Sequence, residues 1–147
     1  MKRFRFRLET ALRIRRMTEQ QAQAGLAEAE RGVVAAEHAL TLLLEERERH
    51  LAYYARIQEA HTPDIALITA TCCYTEILDE NLETQRQAVR AAIALRETRR
   101  EALVRAQQDH ETLERLKEKK HQEHQLEEAA QEQAWMDEVA VLRFGRT

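Results

Sequence analysis

Few residues in this chain stand where their chemistry could act together. His121 and His124 are three apart, with Glu128 a turn further on, a spacing that can clip a divalent metal on one helical face. The same spacing is also ordinary on a solvated helix, and in so polar a neighbourhood that reading is the weightier. Cys72 and Cys73 are neighbours, a poor geometry for a mutual disulfide, and read as reduced thiols on a helix. There is no glycine-rich phosphate loop, no GxSxG, no HExxH and no Cys or carboxylate array at metal spacing. No catalytic residue, metal ligand or cofactor is therefore expected. The basic run RLKEKK, residues 115–120, is interrupted by Glu118 and has no interleaved aromatics, so it reads as a solvated face rather than a nucleic-acid contact.

The elements behind these residues follow from composition. One third of the 147 residues are charged and only 5% are aromatic, too little material for a globular core. Three Gly and one Pro give almost no punctuation, while Ala, Leu, Glu, Gln and Arg dominate, so long helices are expected. The formal net charge of -3 gives no general pull toward nucleic acid or an anionic membrane. No run reaches the roughly 18 apolar residues of a membrane span, and MKRFRFRLE lacks the apolar core of a secretory signal, which makes a cytoplasmic protein the expectation.

From Leu8 onward, apolar or small residues recur at alternating steps of four and three through Leu12, Ala22, Leu26, Ala29, Val33, Ala36, Leu40, Leu43, Tyr54 and Ile57, with Arg15, Glu19, Arg47 and His50 diluting the seam. It stops at HTPD, residues 61–64, read as a helix start with Thr62 as N-cap, Pro63 in the first position and Asp64 in the first turn. A second seam runs through Ile68, Leu78, Leu82, Val89, Ala92, Leu103, Ala106 and Leu113. Two long helices joined by a tight turn must pair with each other. The expected fold is all-α: an antiparallel two-helix coiled-coil hairpin spanning 1–147 as one domain, with helix 1 at about 4–60, the turn at 61–63 and helix 2 at about 63–142. Gly25 and Gly32, seven apart on helix 1, suit either a close approach or no constraint at all. The alternating RFRFR either frays as an extended arm or caps the seam with Phe4 and Phe6; capping is the reading taken.

If the chain reverses near Thr62, residue i faces roughly residue 124 minus i, so Leu8 lies beside Leu116 and the N-terminus near Lys120. Helix 2 then overhangs by about 20 residues, on the order of 30 Å. That overhang holds Trp135, Met136, Val139, Val141 and Leu142, apolar groups with no partner in the hairpin, which implies an external surface. A turned-back tail or a register shift that covers Trp135 is the competing reading. The two ends are oppositely charged: residues 1–16 carry seven Lys and Arg against Glu9, and residues 123–138 carry six carboxylates and no Lys or Arg.

The opening FRFRLETALRIRRMTEQQAQAGLAEAE, residues 4–30, and the close WMDEVAVLRFGR, residues 135–146, resemble the FliJ family, soluble stalk proteins of the flagellar type III export apparatus. The Phe, Leu-Glu, Leu, Arg and Glu of the start and the stretch at 136–140 carry the resemblance. It implies a non-enzymatic, monomeric stalk, similar in shape to the central stalk of rotary ATPases. The terminal region would enter the hexamer of the export ATPase FliI, promoting ring assembly and ATP hydrolysis. Carried over by position, the ATPase-binding candidates are Trp135, Met136, Asp137, Glu138, Val139 and Leu142, with Arg143 and Arg146 as charged contacts and Phe4 and Arg7 near the ring's mouth. The family also implies contact with the export gate FlhA through Tyr74 and Leu78, four apart. Asn81 and Gln85 depart from the pattern further along, and Leu78 doubles as a seam residue, which leaves Tyr74 the better candidate. Escort of export chaperones is a further family role with no residue to place it, and peripheral association with the inner membrane at the flagellar base follows through the partners. The equivalent stalk of a virulence injectisome fits the same features, and a structural or adaptor coiled coil that self-associates through the overhang is the reading from another class.

Overall fold

The computed structural model of the chain describes residues 4–145. Two helices make up its regular structure, α1 over Glu9–Gln58 and α2 over Ile65–Phe144. They pack in two compact units, Met1–Gln21 with Leu103–Thr147 and Ala22–Ala102. Within each, a segment of α1 lies antiparallel against a segment of α2.

The chain between the helices shows why the hairpin turns where it does. α1 closes with Glu59 N–H donating to Ala55 at 3.2 Å and Ala60 to Ile57 at 3.3 Å, a tightened last turn. Pro63 then disfavours helical backbone at Thr62. The cap of α2 is Asp64 rather than the expected Thr62: its Oδ1 accepts from the N–H groups of Ala66 at 3.0 Å and Leu67 at 3.4 Å, while its carbonyl receives Ile68 N–H at 3.0 Å. A carboxylate at this position satisfies two orphan donors and places negative charge at the positive end of the helix dipole, which a threonine hydroxyl cannot do. α1 begins later than expected, at Glu9. Residues 4–6 lie outside regular structure, yet Phe4 and Phe6 are both half-buried.

In Ala22–Ala102 the core is Ala29, Val33, Leu78 and Leu82 together with Thr71. The buried Thr71 hydroxyl donates to Leu67 O at 2.7 Å, and Thr71 O accepts from Thr75 at 3.0 Å. His50 Nε2 lies 3.0 Å from that same carbonyl and 3.1 Å from Thr75 Oγ1. Because a carbonyl can only accept, Nε2 carries a hydrogen. Further along, Gln85 Nε2 donates to the Ala36 carbonyl across the seam at 2.9 Å. Arg47 Nε meets Asp79 at 2.6 Å. Bonds of this kind fix the register where the apolar side chains are too small to do so. Gly25 has an identifiable neighbour: a Cβ there would meet the Arg99 side chain at 3.7 Å, ordinary contact, whereas a Cβ on Gly32 meets nothing within 4 Å.

In the other unit the core is Leu12 and Ala106, with Leu103 and Leu113 half-buried. A polar layer crosses it: His110 Nδ1 lies 2.5 Å from Glu19 on α1, and its Nε2 lies 3.2 Å from Glu114. Arg15 pairs with Asp109 at 3.0 Å and Lys117 with Glu9 at 2.8 Å. Arg15 with Asp109 here, and Gly25 with Arg99 in Ala22–Ala102, obey the expected 124-minus-i pairing to the residue.

Candidate functional site

The far end of α2 owes its exposure to the rules that bury the rest of it. Eighteen residues are five turns of an α-helix, so side chains 18 apart point the same way. Lys117, His121 and His124 face the other strand of the hairpin: Lys117 is paired with Glu9, and the Phe4 ring lies 5.0 Å from the ring of His121 and 5.6 Å from that of His124. Adding 18 to each gives Trp135, Val139 and Leu142. The packed face of α2 therefore continues into these three residues, past α1 and the described part of its arm.

Beyond Glu128 each described residue is exposed except Val139, which is half-buried. Trp135 is 66% exposed, Met136 58%, Val141 70% and Leu142 67%. No turned-back segment among the described residues covers Trp135.

The helix sorts the expected ring-contact residues by face. Trp135, Val139 and Leu142 form the apolar stripe; Met136 and Arg143, seven apart, flank one side, and Glu138 the other. Asp137 points to the back of the helix, where its Oδ1 accepts from Gln133 at 3.0 Å. Arg143 and Glu138 make no ion pair with any described residue. Arg146 lies outside the described residues. Phe4 and Arg7 sit apart from the stripe, at the root of the overhang: with Phe6, Leu116, Lys120 and His124 they line an open groove. Eleven residues separate His124 from Trp135, about 16 Å along the axis. Lys120 donates to Glu123 at 2.6 Å at this root, which holds the Glu123 carboxyl below the usual carboxylate range and Lys120 above its ordinary value. The Phe4 ring also occupies the ground where His121 and His124 would have clipped a metal, and no group of three or more metal-binding side chains comes together among the described residues.

The residues expected at the export gate behave differently from each other. Leu78 is 2% exposed and belongs to the seam. Tyr74 stands outside it, its hydroxyl donating to the Glu46 carboxylate and its ring 4.6 Å from His50, edge to face. That hydrogen bond, with a lesser contribution from burial, pushes the Tyr74 phenol above its ordinary value. The residues that share Tyr74's outer face are Ile77, 51% exposed, and Asn81. Sequence reasoning passed over Ile77, although its step of three from Tyr74 and its place off the seam could have marked it.

A family model described as "Flagellar FliJ protein" matches residues 4–147. The chain belongs to the FliJ family. A solved structure described as that of a YscO homologue from Chlamydia trachomatis resembles this FliJ-family chain with a TM-score of 0.81, at 23% identity over 95% of this chain and 94% of that one. At that identity the likeness speaks for the fold, two long helices packed on each other. Among curated proteins none matches the chain. Membership of the FliJ family makes it a stalk component of type III protein export. None of the described helices is long and apolar enough to cross a membrane.

Proposed function

We propose that this FliJ-family stalk binds the flagellar export ATPase, FliI, with the exposed end of α2, and promotes assembly of the hexamer and its ATP hydrolysis without catalysing anything itself. One observation carries the reading: the packed face of α2 runs on through Trp135, Val139 and Leu142 past the end of its partner helix. An apolar stripe headed by a large aromatic and flanked by Arg143 and Glu138 has the composition of an interface hot spot with a charged rim. In this reading Phe4 and Arg7 stand at the mouth of the ring, and the stalk serves as a monomer peripheral to the membrane. The link to the export gate, FlhA, runs through Tyr74 with Ile77 and Asn81. Replacing the buried Leu78 would disturb the seam itself, so Tyr74 is the residue to substitute there.

The YscO likeness means that the same geometry would serve an injectisome stalk. The family match favours the flagellar system.

The test is ATP hydrolysis by the cognate export ATPase with the intact chain, with Trp135→Ala and with a chain ending at Gln133. Stimulation by the intact chain and none by the truncation is expected. Trp135→Ala should weaken ring binding by about 30-fold, the effect of about 2 kcal/mol lost at a hot spot. Equal stimulation by all three would remove the tip from the mechanism.

A further inference from the structure

The exposed stripe of α2 has a charge order that says how it could be covered. Glu127, Glu128, Glu132, Asp137 and Glu138 come first and Arg143 follows, with no Lys or Arg between Lys120 and Arg143. Laid parallel on a second copy, these segments would set Glu128 and Glu132 against themselves on the stripe face, a like-charge arrangement that opposes pairing. Laid antiparallel with Trp135 opposite Val139, the stripe closes on itself. Each Trp135 then packs on the other copy's Val139, Leu142 comes level with Glu132, and Arg143 lies beside that same Glu132 across the seam. The two-fold axis makes each of these contacts twice, against a single approach of Glu138 to its own copy at the axis, so the patch matches itself, though weakly.

We propose that the end of α2 pairs antiparallel with that of a second copy, forming a dimer that covers Trp135, Val139 and Leu142 whenever no other partner holds them. Residues 128–143 span about two heptads. A two-stranded coil that short buries less than the roughly 1,200–2,000 Å² of a stable specific interface, so the dimer is weak and readily displaced. Its meaning as a resting state that hides the tip from premature contact rests on the ring-binding reading above; the dimer itself does not.

Sedimentation equilibrium of the full chain over the micromolar range tests this, with Val139→Asp, Arg143→Glu and the double variant Glu132→Arg with Arg143→Glu. Glu132 and Arg143 are exposed in the single chain and Val139 is half-buried, and circular dichroism checks that the helices persist. The expected result is a concentration-dependent dimer, abolished by Val139→Asp, weakened about tenfold by Arg143→Glu and restored by the double variant. A full chain that stays monomeric throughout, or a dimer indifferent to Val139→Asp and to the charge swap, overturns the proposal. Monomeric protein that still stimulates the ATPase sinks the dimer and leaves the ring reading standing, whereas a dimer without stimulation does the reverse.

Discussion

Tyr74 shows how an exposed side chain can be held in place without a core. Its hydroxyl donates to Glu46 on α1 and its ring edges onto His50, so the phenol is presented outward in a fixed pose. The hydrogen bond to Glu46 stabilises the protonated phenol, which is why its titration lies above the ordinary tyrosine value. In Glu46→Gln the charged acceptor is gone, and Tyr74 should titrate closer to an ordinary tyrosine, read from the ultraviolet absorbance of the phenolate. An unchanged titration would mean that burial rather than Glu46 sets it. The same residue marks the limit of reading by type and spacing. Tyr74 and Leu78 looked alike as an aromatic and a leucine four apart, but the step of four crosses from the outer face to the seam, and only packing reveals which of the two is presented.

At the scale of the elements, the α1 seam was legible almost in full, because its four-three spacing never slips and each apolar member from Leu12 to Ile57 is buried or half-buried. Leu8 and Arg15 are the exceptions: Leu8 precedes the helix, and Arg15 reaches outward to Asp109. In α2 the apolar seam positions were equally plain, whereas Thr71, Thr75, Gln85 and His110 stayed hidden. Polarity disguises a seam residue whose hydrogen bond is met by its own helix, as at Thr71 and Thr75, or by a carbonyl or carboxylate on the other, as at Gln85 and His110. The cap was misplaced for a related reason, since Thr62 and Asp64 both suit an N-cap and only the hydrogen bonds choose. Asp64→Ala should cost about 1 kcal/mol of stability, with Thr62→Ala close to neutral. Thermal unfolding followed by helical circular dichroism would separate them, and a larger loss from Thr62→Ala would return the cap to Thr62. The exposed stripe was legible because the mismatch of helix lengths follows from the position of the only proline. Its division into faces needed the structure.

For the molecule as a whole, the weak core leaves stability to be shared with ion pairs between the helices. Asp79, held by Arg47 across the two helices, and Glu123, held by Lys120 within α2, both have carboxyls below their ordinary values. A carboxyl depressed in the folded chain adds stability that is present above its unfolded value and is lost as pH falls through the folded one. The melting temperature should therefore hold steady near neutrality and decline in acid, below the ordinary carboxylate range. Arg47→Ala should blunt that decline; an acid limb unchanged in Arg47→Ala would show that Asp79 has no part in it. The pairings also differ in how much chain lies between them. Thr71 is 21 residues from His50, while Asp109 is 94 residues from Arg15. On a ribosome adding about 5–20 residues per second, Arg15 waits about 5–20 s for Asp109 to be made. For that interval the start of α1, Leu12 included, has no helix to lie against. The nascent chain is thus most in need of shelter at its beginning, even though the finished molecule is most open at its end.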